Sequence, residues 1–137
     1  MIRLFAFMCL TSISLLAAGD EDRPAAPPLS AVEARTKIGQ EIAVQMVVAT
    51  TKDRLEKRGE IYLDAELDFR SEKNFAVVIT RAGAAQFKEQ GIADPAQHFL
   101  NKTIRATGTV KEVDGVPRIE IGQAQQLSIA QPSGPSP

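Results

Sequence analysis

Apolar and polar residues alternate along five stretches of this chain, and each stretch predicts a strand with one buried face. In Glu41–Thr51 the better apolar face holds Ile42, Val44, Met46 and Val48. In Glu60–Glu66, Ile61, Leu63 and Ala65 face in, while Tyr62, Asp64 and Glu66 face out. Asn74–Thr80 repeats the pattern with Phe75, Val77 and Ile79, leaving Val78 on the other side. Thr103–Lys111 sets Ile104, Ala106, Gly108 and Val110 on one face. Val116–Ile121 turns Ile119 and Ile121 inward and Arg118 and Glu120 outward. Asp114-Gly115, between these last two stretches, is a hairpin turn signal. Leu127 and Ile129 add a short closing segment.

Between and before the strands the pattern changes. Ser30 and Glu33 have the spacing of a capping box, and Gly39 supplies a stop. Ser30–Ile38 is therefore expected to be a short leading helix, with Val32 and Ile38 toward the core. Arg81–Gln90 is Ala-rich and loses the alternation, predicting a helix weakened by Gly83 and ended by Gly91. Asp94-Pro95 is an N-cap followed by proline at the first helical position. Five short strands bury their apolar faces by curling into a barrel, which also removes the sheet edges. The helix between the third and fourth strands then plugs one open end. The expected class is all-β with small helices added, in the layout of a five-stranded Greek-key OB-fold barrel.

The first 19 residues stand apart from this pattern. Arg3 precedes an apolar run through Ala18, small residues follow, and then comes Asp20-Glu21-Asp22. This is the three-part pattern of a secretory signal, shorter than the roughly 20 residues that span a bilayer. The expected product is exported, either periplasmic or secreted. Cys9 lies inside the apolar run, which excludes the lipid-anchor reading. Residues 20–29 read as a Pro-rich linker, 30–130 as the folded domain and 131–137 as a disordered tail.

Composition narrows the chemistry. The 137 residues are 44% hydrophobic and 24% charged, which fits one globular domain and excludes an acidic or basic tail. Sixteen Lys+Arg against seventeen Asp+Glu give a net charge of −1, so bulk charge does not announce a nucleic-acid binder. The single Cys excludes an internal disulfide framework. A lone His98 cannot assemble the three or four ligands of a zinc site. There is no nucleophile elbow and no phosphate-cradling glycine loop. The sequence thus points to a non-enzymatic module with no metal and no cofactor.

Three segments resemble a known group. They are Ile38-Gly39-Gln40-Glu41-Ile42-Ala43-Val44, Asn101-Lys102-Thr103-Ile104-Arg105-Ala106-Thr107-Gly108-Thr109-Val110 and Gly115-Val116-Pro117-Arg118-Ile119-Glu120-Ile121. Together they resemble the small OB-fold domains of exported bacterial proteins, within the OB nucleic-acid-binding superfamily. Asn101 stands where glycine is common in that pattern, and Ala106 where valine is common. The resemblance implies binding on the face of strands two and three, between the loops Lys52–Gly59 and Glu112–Pro117. Single-stranded nucleic acid is the implied ligand, with a cell-envelope protein or a glycan as the alternative.

Nine residues are candidates for that face. Lys52, Arg54, Lys57 and Arg58 crowd the first loop and suit phosphate contact, although Asp53 and Glu56 among them also suit a solvated hairpin tip. Tyr62 can stack a base or cover an apolar neighbour. Phe69 can stack or anchor its loop, and Arg70 can reach a phosphate or pair with an acid. Arg105, Lys111 and Arg118 either extend a basic stripe or pair with Glu120 and Glu41 across strands. Of these three, Arg105 and Arg118 complete the candidate set.

Overall fold

The computed structural model describes residues 27–130. The expected signal over 1–19, residues 20–26 of the expected linker and the expected tail over 131–137 lie outside the described residues. Elements follow in the order α1 (Ala31–Ala34), β1 (Glu41–Val47), β2 (Thr50–Arg54), α2 (Leu55–Arg58), β3 (Glu60–Asp64) and β4 (Ala76–Thr80). Then come α3 (Arg81–Glu89), α4 (Pro95–Phe99), β5 (Thr103–Val113), β6 (Val116–Ile121), a 3-10 turn (Ala124–Gln126) and β7 (Leu127–Ile129). The strands form one seven-stranded sheet in the order β1-β5-β6-β4-β3-β2, with β7 also pairing β5. All pairs are antiparallel except β4 with β6.

Seven strands replace the expected five for two reasons. Leu127–Ile129 does form its own strand. The predicted strand over Glu41–Thr51 breaks at Val48 and Ala49, where the backbone changes partner. The Val48 N–H donates to the Lys102 carbonyl at 2.9 Å, and the Val48 carbonyl accepts from Asn101 at 2.9 Å. One residue later the Ala49 N–H donates to the Asp64 carbonyl at 2.9 Å. β1 therefore pairs β5, and β2 pairs β3. No ladder joins β1 to β2, so the sheet does not close on itself by hydrogen bonds. Its two ends are linked through the chain at the break.

The period-two residues fill the core. Val44, Val48, Ile61, Leu63, Phe75, Val77, Ile79, Ile104, Ile119 and Ile121 are fully buried. Each such side chain contributes about 1.5–3 kcal/mol on burial. Phe87 of α3 and Phe99 of α4 join the same cluster, edge to face at 5.5 Å between ring centroids. α4 packs on β2 and β3, and α3 on β4. The Asp94 side chain caps α4 by accepting from the Gln97 N–H at 3.2 Å.

Gly83 does not simply weaken its helix. A Cβ at that position would run into the backbone carbonyl of Ile121, so only glycine lets α3 lie this close to β6. At the β5–β6 turn Asp114 and Gly115 have φ of 53° and 82°, the left-handed pair of a tight hairpin. Asn101, in the place where glycine is common, has φ of 64°. Asparagine tolerates that region better than most residues.

Two expectations near the start of the domain fail. The capping box forms, with the Glu33 N–H on the Ser30 Oγ at 3.2 Å and the Ser30 N–H on a Glu33 carboxylate oxygen at 3.1 Å. The helix nonetheless ends at Ala34, because Thr36 turns back onto the Glu33 carbonyl through both its N–H and its hydroxyl. Ala34 is buried, whereas Val32 and Ile38 are about half exposed. Leu29 is not part of a free linker. It bridges to Val44, donating to the Ala43 carbonyl and accepting from the Gln45 N–H, both at 2.8 Å. Among the described residues no helix is long and apolar enough to cross a membrane.

Candidate functional site

The outer face of β2, β3, β4 and β6 carries ordered rows of side chains, because partners in register share a face. One row runs Thr50, Asp64, Ala76, Arg118 and on to Lys111 of β5. The next runs Lys52, Tyr62, Val78, Glu120. A third begins with Arg54 and Glu60. Above these rows lies a groove of about 430 Å³. One wall is the end of β2 with α2, the other is the β5–β6 hairpin at Val113, Asp114 and Val116. The segment expected to be a loop over Lys52–Gly59 is thus half strand and half helical turn. The Asp53 carboxylate accepts from the Leu55 N–H at 3.0 Å, and Leu55 packs against the core. That anchoring leaves Lys57 and Arg58 exposed over the groove.

Charges divide into two groups. Lys52, Arg54, Lys57 and Arg58 are exposed, and none of them is in a salt bridge among the described residues. Arg118 is buried on the floor and tied to Glu60 at 3.0 Å and Glu120 at 3.5 Å. Lys111 also holds Glu120, at 3.0 Å. The Arg118 guanidinium lies 5.8 Å from the centre of the Tyr62 ring. The Tyr62 hydroxyl donates to Glu60 at 2.5 Å. Burial, then that bond to Glu60, pushes the phenol pKa above its usual range, so Tyr62 stays neutral. Phe69 sits on the rim, 40% exposed, with the Lys52 ammonium 4.3 Å and the Arg70 guanidinium 5.3 Å from its ring centre. Such contacts are worth about 0.5–1 kcal/mol at exposed sites.

The structure brings Lys52, Arg54, Lys57, Arg58, Tyr62, Phe69 and Arg118 around this one groove. Arg70 stays beside Phe69 and is not part of the lining. Arg105 does not join. It lies opposite Gln45 and Ser128, on the half of β5 that pairs β1 and β7. Lys111 lies on the other half, against β6. An eleven-residue strand serving two ladders separates residues that one flat face would align. Arg118 and Lys111 pair with Glu120 as the alternation suggests, but Glu60 rather than Glu41 completes the network.

Asp64, expected to face solvent, is buried at 3% exposure on the groove floor. Its Oδ1 accepts from the Asn74 amide at 3.0 Å. Burial raises its pKa, against the opposing pull of Asn74, Lys52 and Arg118. Asn74 is fully buried and was not singled out by the sequence pattern. The same amide group donates to the Phe69 carbonyl at 3.2 Å, and its Oδ1 accepts from the Glu66 N–H at 3.1 Å. The Asn74 backbone carbonyl accepts from Arg35. The loop is thus pinned by the backbone of Phe69, not by its ring. The only signal in the sequence was an asparagine immediately before an apolar strand. His98 lies edge-on to Phe99 at 4.8 Å, and the described residues hold no cluster of metal-binding side chains.

No family model matches the chain, and no curated protein does. Solved structures share its fold. Asparaginyl-tRNA synthetase from Pyrococcus horikoshii superposes with a TM-score of 0.52 at 14% identity, over 76% of this chain and 23% of the synthetase. An OBody, AM1L10, bound to hen egg-white lysozyme gives 0.51 at 14% identity, over 77% of this chain and 96% of the OBody. Aspartyl tRNA synthetase from Entamoeba histolytica gives 0.51 at 9% identity, over 93% of this chain and 28% of the synthetase. The chain thus spans about a quarter of the two synthetases. At these identities the likeness is one of fold alone.

Proposed function

We propose that this domain is a non-enzymatic module that binds single-stranded nucleic acid in the groove between α2 and the β5–β6 hairpin. The observation that carries the reading is the four exposed, unbridged cations set along one rim above Tyr62, with Phe69 beside them. Cations grouped on one rim suit contact with a phosphate backbone, while aromatic faces take bases without regard to sequence. The kinship in fold with two tRNA synthetases supports the class of ligand. In the same reading β1 and β2 act as one bent strand and β7 is an added closing segment, so that the seven strands reduce to the five-stranded Greek-key arrangement of an OB-fold. The N-terminal pattern supports export.

Fluorescence anisotropy with labelled oligonucleotides tests the proposal. Contact of three or four rim cations with phosphates gives a log–log salt slope of about −2 to −3. Replacing Lys57 and Arg58 by alanine together makes that slope shallower by about 1.4. Absence of binding at ~50 mM salt, where phosphate contacts are strong, rejects the reading. A second reading, docking of an envelope protein or glycan, is favoured by the OBody bound to lysozyme and by Leu67, 83% exposed in the loop that carries Phe69. That reading predicts an affinity that hardly moves with salt.

A further inference from the structure

We propose that Asp64 selects the base: its carboxylate accepts the exocyclic amine of cytosine or adenine and turns away thymine and uracil. This rests on the nucleic-acid reading of the groove and adds a specificity to it.

Three observations carry the assignment. First, Asp64 is almost wholly buried and yet lines the groove, so what little it exposes faces the space a ligand would fill. Second, its two oxygens are not equivalent. Oδ1 is taken by the Asn74 amide, whereas no described group donates to Oδ2. No sealed side-chain oxygen or nitrogen lacks a partner among the described residues, so Oδ2 is the atom left open. Third, its cross-strand neighbours on the same face, Thr50 and Ala76, are small, and Tyr62 stands two residues away on that face. The edge of a base stacked near Tyr62 can therefore reach Oδ2.

The chemistry then discriminates. An ionised carboxylate only accepts. Cytosine and adenine offer an amine beside a ring-nitrogen acceptor, whereas thymine offers a carbonyl oxygen where cytosine has its amine. The amine meets Oδ2. The neighbouring acceptors meet the positive charge of Lys52 and Arg118, which line the same groove. Thymine sets oxygen against oxygen at the amine's position, and its one donor, the ring N3–H, lies between two carbonyl oxygens, so Oδ2 gains a donor only with a carbonyl oxygen crowded against it, which is the costly arrangement. Asn74 holds the carboxylate in place before any ligand arrives, so little ordering remains to be done on binding.

The test compares labelled oligo(dC) and oligo(dT) of about 12 nucleotides, a length within the site size of one such fold. The two share phosphate number and ring size, so backbone and stacking contributions largely cancel in the ratio. The wild-type chain is expected to bind oligo(dC) about tenfold more tightly. Asp64→Asn, whose amide can donate as well as accept, brings the ratio to about twofold or less. Asp64→Ser serves as a second variant, and circular dichroism checks that each is folded. Equal wild-type affinity for both strands overturns the assignment, as does a preference that survives both substitutions. In either case salt-sensitive binding of both strands leaves the nucleic-acid reading intact. Failure of both strands to bind the wild-type chain overturns that reading, and the base selection with it.

Discussion

The two faces of the β3–β4–β6 sheet are both ordered and are built on opposite terms. Inward, Ile61, Leu63, Val77, Ile79, Ile119 and Ile121 are all sealed among other apolar groups. Outward, Val78 is just as sealed, Asp64 and Arg118 nearly so, and Tyr62 partly. The inner face is held by shape and loses free energy through voids. The outer face is held by carboxylates and cations whose bonds must all be kept, because an unpaired partner there costs more than the pair contributes. The difference teaches where this fold can bind. Only the outer face combines order with polar atoms that still have capacity.

The largest expected effect breaks the inner face. Ile61→Ala lowers unfolding stability by about 2–5 kcal/mol and leaves the salt slope of oligonucleotide binding unchanged. Denaturant titration and anisotropy on the same preparation check both halves. If the slope changes as well, the two faces are less independent than described.

Next in size is the outer face. Arg118→Ala strips the cation from Glu60, leaves Glu120 with Lys111 alone and costs about 2 kcal/mol, read in thermal or chemical unfolding. Oligonucleotide affinity also falls, because the floor loses its cation and gains repulsive carboxylates. Unchanged stability would mean that water screens the network as it does an ordinary surface pair.

The smallest effect sharpens the contrast through pH. Folding raises the Asp64 pKa above its usual 3.8, so the folded state takes up this proton before the unfolded state does. Its ionised form therefore disfavours folding above the raised pKa, and that penalty disappears as pH falls to below the unfolded value. Asp64→Asn removes the penalty. Its stability relative to wild type is greater near pH 7 than near about pH 4, with the gap measured by urea unfolding at both. A gap that widens toward acid would reverse the sign and contradict the burial of this group.

Much of the inner face was legible because its signal is local. Phe75, Val77 and Ile79 declare their side by alternation, and Ser30 with Glu33 or Asp94 with Pro95 mark helix starts within a few residues. The rim was legible for the same reason, since Lys52, Arg54, Lys57 and Arg58 lie close together in the chain. What could not be read depends on distant partners. Arg118 is buried by a bond to a residue 58 positions away, and Asp64 by Asn74 across a loop. A polar residue in an outward position looks solvated until that partner is known. The change of partner at Val48 and Ala49 is hidden too, because Val47, Val48 and Ala49 are all apolar.

That change of partner does more than divide a strand. Before it the even-numbered positions Val44, Met46 and Val48 point inward; after it Lys52 lies beside Tyr62 and, with Arg54, over the open groove. The side-chain rhythm has slipped by half a period. Had the chain run straight on, both cations would have been aimed at Leu63 and Ile61, and the binding surface would have had no rim. Removing a single residue at that joint would let one unbroken alternation carry Lys52 and Arg54 to the groove face, so the joint amounts to one extra residue taken up where the chain changes partner.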